Sequence, residues 1–201
     1  MRSIRKEIGG LGNLMFKQAY LWSQLRDGLI PDLYLQSEKY FAKYKEEIKQ
    51  LFGFGIGNKT INKVAIHVRR GDYLKAIQFH VPLWQTDYYK KAIEMFPNER
   101  FLVFCKDNQD PVLDEADKEW CKEYLSFLGD RVEFREHQSE TEDLNAMASC
   151  KSLIGANSSF SWWASFLGQH EKAVFPALDK WFTDGKRRID GLSTWTEIDF
   201  S

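Results

Sequence analysis

Five short apolar runs punctuate the middle of the chain: Val64–Val68, Phe101–Cys105, Val132–Arg135, Leu153–Ala156 and Ala173–Phe175. Their length and their apolar or alternating character predict strands. Between them, Thr86–Met95, Pro111–Leu125, Glu142–Cys150 and Ser159–Leu167 have helical spacing. Leu144, Met147 and Ala148 recur at i, i+3 and i+4, the stripe of a helix laid on a sheet. Thr141, followed by Asp143 and Asn145, is the predicted start of that helix, with acid in its first turn. Strands alternating with helices over Ile61–Ala177 predict a parallel, doubly wound, Rossmann-type α/β sheet.

The first sixty residues follow a different pattern. Asn13–Arg26 is a predicted helix with Leu14, Ala19, Leu21, Trp22 and Leu25 apolar, and it follows the loop Gly9-Gly10-Leu11-Gly12. Glu38–Phe52 is a second, strongly charged helix candidate, and Gly53-Phe54-Gly55-Ile56-Gly57-Asn58 reads as a hinge. Ile4 and Ile8 supply little strand signal ahead of the glycine loop. The expected organisation is a reduced, mostly helical portion over residues 1–60 joined to an α/β domain over residues 61–201.

Composition narrows the function classes. Net charge is −1, so no global basic field points to nucleic acid or an anionic membrane, and any anion binding must be local. Cys105, Cys121 and Cys150 are odd in number and lack C-x-x-C spacing, which predicts reduced thiols rather than a disulfide framework or zinc site. The start MRSIRKEIGG has no apolar h-region, and no run approaches the roughly eighteen apolar residues of a membrane span. The expectation is a cytoplasmic protein without a membrane span.

The stretch Val64-Ala65-Ile66-His67-Val68-Arg69-Arg70-Gly71-Asp72-Tyr73 runs a core strand straight into ionic residues. Strand alternation puts His67 and Arg69 on one face, with Val68 and Arg70 on the other. Ligands of open α/β sheets bind outside the carboxyl ends of strands, where these groups fall. Arg69 is placed to meet an anion through charge-assisted bonds of roughly 1.5–3 kcal/mol each. Arg70 can pair with Asp72 or another carboxylate and fix the turn.

Ser158-Ser159-Phe160-Ser161 follows the strand Leu153–Ala156 and Asn157 and leads into a helix. Such a join presents N–H groups and hydroxyls to phosphate, with Ser159 the candidate N-cap. Gly9-Gly10-Leu11-Gly12-Asn13 also opens a helix, yet lacks the third glycine of the dinucleotide fingerprint. Two phosphate-type elements plus arginine suggest a diphosphate. Asp107-Asn108-Gln109-Asp110 reads as a solvated loop, and His67, His80, His137 and His170 have no ligand spacing, so no metal is expected.

Together these clusters resemble the bacterial-type α-1,2-fucosyltransferases, glycosyltransferase family 11. The family's first signature stands here as Gly9 to Phe16, with Leu14 where glutamine is usual, and its H-x-R-R-G-D-Y motif as His67 to Tyr73. A longer motif stands as Glu142-Asp143-Leu144, Met147, Cys150, Ile154, Asn157 to Phe160 and Trp162-Trp163, and the closing one as Pro176 and Trp181-Phe182. Cys105-Lys106-Asp107 departs from the usual Ser-Asp-Asp, and the segment between Asn13 and Ile66 is much shortened.

The resemblance implies a GT-B-like, metal-independent enzyme that moves L-fucose from GDP-fucose, with inversion, to the 2-hydroxyl of a galactoside in a glycan acceptor. It implies that Arg69 holds the β-phosphate, that His67 and Asp143 read guanine, and that Ser158 or Ser159 bonds a phosphate oxygen. Gly10, Gly12, Asn13, Arg70 and Asn157 join the candidate donor site, and Asp72 is the candidate base by proximity. The shortened first half suggests a homo-oligomer. It also raises the alternative of a GDP-sugar-binding module without catalysis.

Overall fold

The computed structural model describes residues 10–27, 36–53, 60–105, 111–136 and 138–201. Gly9, the hinge positions after Gly53, the Asp107–Asp110 loop and His137 lie outside the described residues. The central strand is β1 (Ile61–His67), and around it stand β2 (Phe101–Phe104), β3 (Val132–Phe134), β4 (Cys150–Ile154), β5 (Lys172–Pro176) and β6 (Trp195–Ile198). The order is β3-β2-β1-β4-β5-β6, with every neighbouring pair parallel. The order reverses between β1 and β4, so the sheet has its topological switch point there.

Both faces of the sheet are covered, as a parallel sheet requires. Val64, Ile66, Phe101, Val103, Ile154 and Val174 pack on one side, against α3 (Tyr88–Glu94) and α4 (Pro111–Tyr124). Ala65, Leu102, Phe104, Leu153, Ala173 and Phe175 face the other, covered by α5 (Glu140–Ala148) and α6 (Ser159–Leu167). The alternation that sorts these apolar residues continues past His67 and sorts the ionic ones.

Helix α6 is buried almost all round, with Trp162 and Trp163 at 0% exposure. Each such side chain contributes about 1.5–3 kcal/mol of burial. The N-terminal helices α1 (Leu11–Asp27) and α2 (Lys45–Phe52) pack onto α6, and Met15, Phe16, Ala19, Phe41 and Ile48 join the core of that layer. These described N-terminal residues therefore share one apolar core with the sheet.

Local sequence rules decide most element ends, with three corrections. Helix α5 starts at Ser139 rather than Thr141: the Ser139 hydroxyl accepts from Glu142 N at 3.2 Å and donates to the Glu142 carboxylate at 2.6 Å. Helix α6 is capped by Ser158, whose Oγ accepts from Phe160 N at 3.2 Å, so Ser159 is its first helical residue. The charged span Glu38–Phe52 breaks at Phe41 (φ −138°, ψ 16°), which buries its ring parallel to Trp163 at 5.7 Å. Two single 3₁₀ turns precede α2 as a result.

Candidate functional site

A cleft of about 770 Å³ opens at the carboxyl ends of β1 and β4. Gly10, Gly12, Asn13, His67, Arg69, Asp72, Asp143, Asn157, Ser158 and Ser159 line it, so four separate stretches of sequence converge there. Arg70 is not among the lining residues. It leaves β1 on the opposite face, pairs with Asp117 of α4, and stacks its guanidinium over Trp120 at 5.3 Å. Asp72 is the partner of Arg69 instead, at 2.8 Å. Of the two expected partners of Arg70, Asp72 or another carboxylate, the structure has the second: the period-two alternation that separates the arginines carries Arg70 to α4.

Leu11 and Gly12, expected in a loop ahead of a helix from Asn13, instead form the start of α1, and this segment reaches the cleft by close packing. A Cβ on Gly12 would lie 2.7 Å from the Ser159 carbonyl carbon and 2.9 Å from Phe160 N. Only hydrogen fits there, and the Gly12 carbonyl accepts from the Trp163 indole N–H at 2.8 Å. Asn13, beside it, accepts from Gln36 Nε2 at 2.6 Å.

His67 is buried at the end of β1, with Nδ1 at 2.5 Å from Ser161 Oγ. That same oxygen accepts from Ala156 N–H at 3.0 Å. All three groups are satisfied when the hydroxyl donates to Nδ1, which places the ring proton on Nε2. Burial first, and the Arg69 charge second, hold the His67 pKa down at about 3, so the ring is neutral. Asp143, in the first turn of α5, is oriented by Arg135, whose Nε donates to Oδ1 at 2.7 Å. Phe104, Glu140 and Phe160 line the cleft along with it.

Asn157 has a partly structural role. Its amide nitrogen donates to the carbonyls of Val81 at 2.9 Å and Trp181 at 3.0 Å, tying together the two loops that wall the cleft. Tyr73 adds a third tie, its hydroxyl donating to the Asn157 carbonyl at 3.0 Å. The residues missed by sequence reasoning are mostly on these walls: Gln36, Gln78, Phe79, His80, Thr183, Asp184 and Arg188. None belongs to a local motif. The expected strand Leu153–Ala156 followed by a polar loop points only to the cleft floor.

The three cysteines are buried and not joined in disulfides. Among the described residues, no three His, Cys, Asp or Glu side chains group as metal ligands, and no helix is long and apolar enough to cross a membrane.

A six-stranded parallel sheet with a polar cleft at its switch point defines an α/β protein of GT-B-like fold. The structure of the Escherichia coli heptosyltransferase WaaC with ADP superposes with a TM-score of 0.51 over 88% of this chain and 47% of that one, at 13% identity, a likeness of fold. The profile of Glycosyl transferase family 11 matches residues 18–188, and the chain belongs to that family. It is 32% identical over 167 residues to an α-1,2-colitosyltransferase of Escherichia coli, covering 73% of this chain and 54% of that protein. It is 29% identical over 147 residues to the O-antigen biosynthesis glycosyltransferase WbnK of Escherichia coli, covering 70% of this chain and 46% of that one. The chain thus spans about half the length of these relatives.

Proposed function

We propose that this chain carries the donor site of an inverting glycosyltransferase that takes L-fucose from GDP-fucose and transfers it to the 2-hydroxyl of a galactoside. The observation that carries the reading is the convergence of Arg69, the amino end of α6 and the Gly10–Asn13 start of α1 on one cleft at the switch point. As the C1–O bond breaks, charge grows on the departing diphosphate. Arg69, held in place by Asp72, and the first-turn N–H groups of α6 stabilise that charge without reorganising. This supports departure of the nucleotide without a divalent cation.

Guanine is favoured by the oriented Asp143 carboxylate, which accepts from N1–H and the 2-amino group. Adenine would turn the unprotonated N1 lone pair towards the same carboxylate. His67, with its proton on Nε2, supplies a neutral donor beside it. The name of the colitosyltransferase relative makes colitose on the same nucleotide the competing donor sugar.

The test is incubation with GDP-fucose and a panel of β-galactosides, in EDTA and then with added Mn²⁺. Release of GDP with a fucosylated product in EDTA supports the reading, and an absolute need for Mn²⁺ refutes the metal-free part. Tight GDP binding without turnover on any acceptor identifies a binding module instead. Arg69→Ala lowers GDP affinity at least about tenfold, the loss of one charge-assisted bond of about 1.4 kcal/mol or more. Unchanged affinity in that variant refutes the donor site.

A further inference from the structure

Inverting transfer needs a group that takes the acceptor hydroxyl proton as the new glycosidic bond forms. The carboxylates on the two loop walls of the cleft are committed elsewhere. Asp72 pairs with Arg69 at 2.8 Å, and Asp184 holds both terminal nitrogens of Arg188 at 2.9 and 2.7 Å. His67 sits at the strand end with Nδ1 on Ser161. His80 is placed differently. It lines the cleft on the loop after β1, half-buried, with its ring stacked on Tyr73 (centroids 4.1 Å, planes 12° apart) and tilted against Phe182 at 5.3 Å.

The backbone fixes its position too: His80 N donates to Ala76 O at 3.0 Å, and the residue pairs with Phe182 in an isolated antiparallel bridge. Nδ1 is enclosed by protein and has no hydrogen-bond partner, so Nε2 is the nitrogen placed to exchange a proton with a molecule in the cleft. We propose that His80 is the general base of the transfer. Its Nε2 takes the acceptor hydroxyl proton while that oxygen bonds to C1 of the donor sugar. The C1–O bond to the diphosphate breaks, and its electron pair leaves with the nucleoside diphosphate. This assignment rests on the donor-site reading above.

The charged groups facing the ring are few. Burial holds its pKa below the ordinary histidine value, Asp72 opposes that shift by favouring the imidazolium, and Arg69 and Arg188 reinforce it. Tyr73, against which the ring lies, is pushed up to about 12 and stays neutral. The imidazole is therefore neutral at neutral pH, its single proton on Nδ1 and the Nε2 lone pair left to accept the hydroxyl proton, and Asp72 stabilises the cation formed on transfer. The rate falls as pH drops through the His80 pKa, which lies below about 6.5.

The experiment compares the wild-type chain with His80→Phe, which keeps the stack on Tyr73, and His80→Ala, which opens a space. GDP affinity is measured by calorimetry, and fucose transfer is measured with lactose. Both variants are expected to bind GDP within about threefold of wild type and to transfer at least about a hundredfold more slowly, the usual range of a lost general base. Added imidazole restores part of the rate in His80→Ala and not in His80→Phe. A transfer rate within about threefold of wild type in His80→Phe overturns the proposal, since removal of a general base costs far more. So does a fall in GDP affinity that accounts for the whole rate loss, or nucleotide binding by the wild-type chain with no transfer. Failure of the donor reading shows itself separately, as absence of GDP binding by the wild-type chain.

Discussion

Gly12→Ala tests the joint between the start of α1 and the sheet domain. Gly12 lies in the first turn of α1, where alanine would ordinarily favour the helix by up to about 1 kcal/mol. The added methyl would lie 2.6 Å from Ser159 Oγ and 2.7 and 2.9 Å from backbone atoms of Ser159 and Phe160. The serine oxygen can rotate away, but the backbone of the first turn of α6 cannot. Overpacking of this kind costs about 1–3 kcal/mol. Lifting α1 to relieve it stretches the 2.8 Å bond from the buried Trp163 indole to the Gly12 carbonyl, which adds about 1–3 kcal/mol for an unsatisfied buried donor. The clash outweighs the propensity, and the net loss is on the order of 1–6 kcal/mol out of the 5–15 kcal/mol typical of a domain. Urea unfolding followed by tryptophan fluorescence reads this directly, because Trp162 and Trp163 sit at the joint. GDP affinity falls as well, since the displaced first turn of α1 lines the cleft. A variant as stable as the wild type, or more stable, refutes the close packing of α1 on α6.

Asp117→Ala removes the counter-charge of Arg70, whose side chain is 19% exposed against 3% for Asp117. A loss of about 2–4 kcal/mol in urea is expected, somewhat below the full cost of stranding a buried charge because Arg70 reaches some water. GDP affinity stays within about threefold, because the pair lies across the sheet from the cleft; a large affinity loss at unchanged stability contradicts that placement. The His67 titration has a definite sign. Its folded-state pKa of about 3 lies below the ordinary 6.5, so the unfolded chain binds the extra proton between those values. This contribution to stability is complete above pH 6.5 and is lost as pH falls, by up to about 1.4 kcal/mol per pH unit. Urea midpoints at pH 7, 6 and 5 show it, and His67→Gln flattens the slope; parallel wild-type and variant curves refute the buried neutral ring.

Elements whose order is written in local pattern were legible. Val64, Ile66 and Val68 alternate with Ala65 and His67, and two-sided burial of β1 follows. Ser159–Leu167 was legible as a helix because the serine cap and apolar run coincide. Strand β6 was not. Trp195–Ile198 reads Trp-Thr-Glu-Ile and sits half-buried at the sheet edge, where the parallel stack of Trp195 on Phe175 at 3.6 Å secures it. No local pattern signals a contact between residues so far apart in the chain. The broken span before α2 was illegible for the same reason: its charge pattern favours one helix, and the burial of Phe41 against Trp163 prevails.

By itself the sequence determined the parallel α/β sheet, the four motifs that meet at one cleft, and the parting of Arg69 from Arg70. These follow from side-chain periods of two and 3.6 residues, which act within a few positions. Only the tertiary structure decided that Arg70 answers to Asp117 and Trp120, that Gly12 rests on the first turn of α6, and that His80 lies stacked on Tyr73 beside Asp72. The first two partnerships join residues far apart in the chain, and the third is fixed where the His80 loop meets Phe182 across the cleft, so all three depend on packing that no local period encodes.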